Sequence, residues 1–161
     1  ADQAVTYLNA FGPCLVDAGG DLVAGQAPEA YQGWPVGVAA PWSQGGQRDN
    51  LFRLWLADAS LTTSGIDYRR WVQNGRLHHH IIDPRNGQPA STDIMTVSVL
   101  ADNACVAETW ATAALVAGLQ EGSVLLNERN MAAAFINQEG DVSLTPALAP
   151  QIQWEWATVL F

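Results

Sequence analysis

The sequence predicts an α+β fold, a mixed or antiparallel sheet with packed helices. Three observations carry that expectation. Short apolar and β-branched stretches are separated by glycine- or proline-containing turns. Those stretches follow one another as hairpins instead of alternating with helices. A single long stretch, residues 104–129, has the alanine- and leucine-rich composition of a helix.

Taken in order, "ADQAVTYLNAF" (1–11) spaces its apolar residues helically and predicts the tail of a helix. "CLVDAGGDLVAG" (14–25) predicts a strand, a glycine-rich turn and a second short strand. "YQGWPVGVAAP" (31–41) is a further strand, bounded by Pro41, and "WSQGGQRDNLF" (42–52) is a polar, glycine-containing loop. "LFRLWLADASLTTSG" (51–65) alternates apolar and polar residues before ending in small hydroxylated ones, which suggest a loop. "DYRRWVQNGRLHHHIIDP" (67–84) is a hairpin with Asn74-Gly75 as its turn. "IMTVSVLAD" (94–102) is a strand. The helix over 104–129 is expected to break near Gly118 to Gly122. "MAAAFINQEGDVSLTP" (131–146) is a strand, a turn at Glu139-Gly140-Asp141 and another strand, and "IQWEWATVLF" (152–161) a final one.

At 161 residues the chain fits one domain with a single core. Its net charge is −9, and all seven basic residues are arginines. That balance argues against a general nucleic-acid surface, which needs a basic patch to neutralise phosphates, and disfavours an anionic membrane surface. No apolar run of about 18 residues is present, so no membrane span is expected. The opening "ADQAV" has no basic n-region, apolar h-region or lipidation cysteine, and residue 1 is not Met, as for a processed start or a fragment. Cys14 and Cys105 sit in apolar contexts and are expected as buried thiols.

Candidate chemistry gathers in four places. "DAGGD" (17–21) permits a sharp turn with close backbone approach to a ligand, or is simply a turn with exposed carboxylates. "SLTTSG" (60–65) offers four hydroxyls and a glycine, suited to a phosphate or to a capped turn. "RLHHHIIDPRNGQP" (76–89) holds every histidine in the chain. Strand alternation puts His78 and His80 on one face and His79 on the other, but no third metal ligand stands at helpful spacing. Proton transfer or a solvated strand end remain as readings. In "AETWATA" (107–113), Glu108 and Thr112 are four apart and share a helix face, a pair of hard oxygen ligands of the kind magnesium prefers, or a solvent-facing pair.

In order along the chain, "LVDAGGDLVAGQ", "WPVGVAAP", "TTSGIDYRRW", "HHIIDPRNGQP", "TVSVLAD" and "VAETWATAALVAG" resemble the C-terminal half of the FAD:protein FMN transferases, the ApbE family. The combination of "SG" with "HHIIDP" and a following "NGQP" is specific, because several spaced elements agree. The resemblance implies a T-fold-related domain portion over residues 1–161 that lacks the family's N-terminal half. It also implies magnesium-dependent transfer of FMN from FAD to a threonine or serine hydroxyl of a target protein, with release of AMP. The family's acidic residue and threonine in its metal-binding helix pattern fall on Glu108 and Thr112, with Glu standing where the family usually has Asp. A further family position falls on Ala111, which could offer only its backbone.

The histidine before "IIDP" falls on His80, which the resemblance implies as an acid/base or phosphate-contacting group. Ile82 would meet the flavin nucleotide through its backbone. Asp83 would hold His80 or the turn, and Ser64 and Gly65 would line the phosphate region. Implied partners are FAD, an acceptor protein and a second chain or segment supplying the missing half. The bacterial periplasm or cell envelope is the compartment the family suggests. The alternative function is a non-catalytic flavin-nucleotide-binding or assembly subunit, with an unrelated metal-dependent hydrolase as a third reading.

Overall fold

A computed structural model of the chain describes residues 1–41 and 49–154. Helix α1 (Asp2–Leu8) buries only Val5, and leads into the hairpin of β1 (Leu15–Asp17) and β2 (Leu22–Ala24). At the tip of that hairpin the Gly20 N–H donates to Asp17 Oδ1 at 2.8 Å, so "DAGGD" forms a turn in which Asp17 is exposed and Asp21 half-buried. Strands β3 (Trp34–Ala39) and β4 (Asn50–Leu56) pair with each other, and β5 (Ala59–Gly65) follows after a two-residue corner. Then come β6 (Arg70–Gln73), β7 (Arg76–His79), β8 (Ile82–Asp83) and β9 (Gln88–Pro89). The chain continues through β10 (Ile94–Ala101), α2 (Ala104–Asn127), β11 (Ala132–Asn137), β12 (Val142–Leu144) and β13 (Ile152–Trp154).

All pairings among the described residues are antiparallel, as local hairpin connections favour. The main sheet has six strands in the order β1-β2-β5-β10-β11-β12, and a second sheet runs β13-β4-β3. Period-2 alternation gives the main sheet two apolar faces, so the single core expected from the chain's length is divided by the sheet into two. Val97 and Val99 of β10, with Ala133 and Phe135 of β11, pack on Ala107, Ala111, Ala114 and Leu115 of α2. The opposite face, with Leu61, Ala134 and Ile136, packs on Val36, Val38, Phe52, Leu54 and Leu56 of the smaller sheet. Alanines at 107, 111 and 114, all fully buried, let the helix lie close to the strands.

The helix breaks where expected. Gly118 takes φ +80°, a left-handed value that glycine adopts without a Cβ penalty, and the Leu119 N–H is capped by Asp93 Oδ1 at 3.0 Å. Asn74 and Gly75, at φ +52° and +73°, form the turn between β6 and β7 as the Asn-Gly pair predicts. Gly140, at φ +95°, marks the turn between β11 and β12.

Three expectations are corrected. "SLTTSG" is not a loop: it is β5, held between β2 and β10 in the main sheet. β-branched threonines suit a strand: Thr63 Oγ1 meets Ser98 Oγ at 2.7 Å, while the buried Thr62 Oγ1 has no partner among the described residues. Ser60 Oγ donates to the Ala101 carbonyl at 3.3 Å. Second, Cys105 is exposed and Cys14 only half-buried; both are free thiols. The helix turns positions 104, 107, 111 and 114 inward, so 105 faces solvent. Third, the hairpin over 67–84 does not run unbroken to Pro84. Strand β7 stops at His79, and Ile82–Asp83 belongs to the separate β8–β9 pair. The loop expected over 42–52 lies outside the described residues up to 48, with β4 beginning at Asn50. Of the expected terminal strand only Ile152–Trp154 falls within them. No helix of the described residues is long and apolar enough to cross a membrane.

Candidate active site

The C-terminal end of β5 faces the middle of α2. Alternation along β5 turns Ser60, Thr62 and Ser64 toward the helix and Leu61 toward the other core. Ser64 Oγ meets Thr112 Oγ1 at 2.7 Å, a contact between residues 48 apart in sequence. Gly65 stands opposite Thr96 of β10. A Cβ there would come within 2.7 Å of Asp67 Oδ1 and 2.9 Å of Thr96 Cγ2, so a larger residue would displace the Asp67 carboxylate and crowd the buried Thr96 methyl.

On α2, Glu108 lies one turn before Thr112, and its side chain is exposed. Ala111 is fully buried against the sheet, and its carbonyl sits within the helical hydrogen-bond ladder. Burial commits the Ala111 methyl to packing, so only its backbone carbonyl could serve a ligand. Among the described residues no three His, Cys, Asp or Glu side chains gather into a metal-holding group. Glu108 and Thr112 therefore offer one carboxylate and one hydroxyl, a donor set that fits magnesium. That ion is commonly held by one or two carboxylates together with substrate phosphates and water.

The histidines lie in the hairpin that follows β5 and just after it. Ile66 at its start and Ile81 at its end both pack on the core that contains Ala111 and Ala114. His80 follows the last residue of β7, is exposed, and holds Nδ1 at 3.4 Å from the Arg69 carbonyl, a long hydrogen bond. His79, not His80, is the buried one, with Nε2 at 3.1 Å from the Ala90 carbonyl and Nδ1 without a partner among the described residues. His78 stacks on Trp71, ring centroids 6.1 Å apart. The three histidines thus have three environments, and none of them joins a metal-holding cluster among the described residues.

Ile82 is exposed beside His80. Asp83 holds the turn and not His80. Its carboxylate takes a forked pair of bonds from Arg85, Nε to Oδ1 at 2.9 Å and Nη2 to Oδ2 at 2.8 Å, and accepts the Arg85 backbone N–H at 2.9 Å. The Asp83 carbonyl also accepts the Gly87 N–H at 2.8 Å. The Arg85 side-chain hydrogen bonds, then its backbone N–H, lower the Asp83 pKa below the ordinary 3.8. Arg85 is the site residue that sequence reasoning passed over. Its signal was an arginine two positions after an aspartate, across Pro84, where a turn folds one side chain onto the other.

The end of β5 and the facing turns of α2 thus offer hydroxyls at Ser64 and Thr112 and a carboxylate at Glu108, and the segment after β7 offers an exposed imidazole at His80. A model of the ApbE family matches residues 1–136. The chain belongs to the ApbE family. The FAD:protein FMN transferase of Treponema pallidum is 36% identical to this ApbE-family chain over 138 residues, covering 80% of the chain and 38% of that protein. One from Klebsiella pneumoniae is 30% identical over 131 residues, 79% of this chain and 36% of its own length. The ApbE protein of Thermotoga maritima has the same fold, with TM-score 0.81 at 24% identity, over 93% of this chain and 49% of that one. The apo form of the Pseudomonas stutzeri flavinyl transferase ApbE superposes with TM-score 0.74 at 25% identity, over 93% and 47%. The chain thus spans well under half the length of these curated ApbE relatives, and about half of the solved ones.

Proposed function

We propose that this chain forms the phosphate-handling part of an FAD:protein FMN transferase, completed by a segment or chain that supplies the rest of the flavin site. The observation that carries the reading is the Ser64–Thr112 contact, which draws the helix bearing Glu108 against the end of β5 in an ApbE-family chain. Relatives named FAD:protein FMN transferases supply the reaction class.

In that reaction a threonine or serine hydroxyl of the acceptor attacks the phosphorus on the flavin side of the FAD diphosphate. The bond from that phosphorus to the bridging oxygen breaks, AMP leaves with the bridging oxygen, and FMN is left esterified to the acceptor. The hydroxyl proton must go to a base, and His80 is exposed and held only by one long bond to the Arg69 carbonyl, free to accept it. Magnesium, held by Glu108 and Thr112, would neutralise the diphosphate charge. Ser64 fixes the Thr112 hydroxyl, and Ser64 with Gly65 borders the phosphates. Ile82 offers its backbone to the nucleotide, while Asp83 and Arg85 keep the turn that follows His80 in shape.

Incubation with FAD, magnesium and a threonine-containing peptide, with any co-purifying chain present, should give covalent in-gel flavin fluorescence. Tight FAD binding without fluorescence would favour a non-catalytic flavin-nucleotide subunit. AMP and FMN released without acceptor would mark a hydrolase.

A further inference from the structure

The β6–β7 ribbon combines exposed apolar side chains with a local concentration of positive charge. All four residues of β6 are exposed, and only His79 at the base of β7 is buried. Val72 and Leu77 face each other across the ribbon at 70% and 61% exposure, and Trp71 on the other face is 48% exposed. A two-stranded ribbon with water on both sides has little apolar burial of its own, and such apolar pairs left open mark contact surfaces.

Charge points to the kind of partner. Residues 68–80 hold Arg69, Arg70 and Arg76 and no carboxylate, in a chain of net charge −9. Those three arginines are exposed, and none of them makes a salt bridge among the described residues. An acidic polypeptide is repelled by most of this surface and attracted here. Each strand of the ribbon also has one edge without a strand partner among the described residues, where an extended segment can add its backbone hydrogen bonds. At its base the ribbon runs directly into His80.

We infer that the β6–β7 ribbon is the docking surface for the acceptor polypeptide, taking an acidic, extended segment with apolar side chains and presenting its hydroxyl toward His80. The identity of the partner as acceptor rests on the transferase reading; the binding chemistry does not.

The test uses a fluorescein-labelled peptide of Asp, Glu, Leu and Thr, and a twin with Asn and Gln in place of the acids, both followed by fluorescence anisotropy. The acidic peptide should bind about tenfold tighter than its twin at low salt, as three weak exposed ion pairs together supply. The difference should vanish near ~1 M salt, where the Debye length is about 3 Å. The R69Q/R70Q/R76Q variant should bind the two peptides equally, the R69K/R70K/R76K variant should keep the preference, and Leu77→Ser should weaken both peptides. Equal binding by the unaltered protein, or an undiminished preference in the glutamine variant, overturns the docking surface. So does sedimentation showing a dimer that Leu77→Ser dissociates and the peptide does not compete with. Retained peptide discrimination without any flavin labelling would count against the transferase reading and leave the docking surface standing.

Discussion

The hydroxyls of Ser64 and Thr112 lie 2.7 Å apart and tie the end of β5 to the middle of α2. Each leaves lone pairs for a further partner, so the contact serves the fold and can serve a ligand. Thr112→Val removes one hydroxyl of the pair and should cost about 1 kcal/mol in urea unfolding. In a double-mutant cycle with Ser64→Ala, the second substitution should cost less than it does alone. Additive losses would mean that the two hydroxyls do not act together.

Glu108 is exposed and makes no hydrogen bond among the described residues, so Glu108→Gln should change stability by less than about 0.5 kcal/mol. Magnesium titrated in the presence of FAD should nevertheless bind more weakly to the variant. An unchanged titration would move the metal away from this helix.

His80→Ala should abolish flavin transfer while FAD binding, followed by flavin fluorescence quenching, stays close to that of the unaltered protein. The side chain is exposed and held by one long bond, so little of the fold depends on it. Transfer persisting at the original rate would remove His80 from the proton's path.

Asp83 carries a pH prediction. Its pKa is lowered in the folded chain by the Arg85 hydrogen bonds, so the carboxylate binds its proton less tightly folded than unfolded. Its contribution to stability is therefore fully present above the ordinary value of 3.8 and lost as pH falls through the lower folded value. Asp83→Asn should lower the melting temperature at neutral pH, and the gap to the unaltered protein should close in acid below that range. A gap that persists there would show that the loss comes from the turn geometry and not from the charge.

Gly118 takes a left-handed backbone, and a Cβ there would stand 2.9 Å from Asp93 Oδ1, the atom that caps Leu119. With ψ near 180° at positive φ, a conformation essentially confined to glycine, Gly118→Ala should cost about 1–3 kcal/mol in backbone strain alone. Asp93→Ala, which removes only the cap, should cost about 1 kcal/mol. Thermal unfolding of the two single variants separates the contributions.

Local features were legible because they depend on a few neighbouring residues. Asn74-Gly75 tolerates positive φ and made the hairpin turn readable. Gly118 announced the helix break, and four-residue spacing put Glu108 and Thr112 on one side of α2. The α+β class followed from the same short-range patterns, and the antiparallel sheets agree with it. "SLTTSG" was harder to read, since four hydroxyls and a glycine look like a loop until β2 and β10 close on both sides of it.

By itself, then, the sequence determined the turns, the helix and its break, the placing of every histidine in one segment, and the motifs that mark the ApbE family. Those are matters of periodicity, backbone sterics and residue order. Tertiary structure alone decided which polar atoms meet. It set Ser64 against Thr112, buried His79 while leaving His80 in solvent, and turned Asp83 onto Arg85. It also left the arginines of β6 and β7 on an open ribbon. Those outcomes depend on how a helix settles on a sheet and where a strand stops, and no spacing along the chain encodes a contact between residues 48 positions apart.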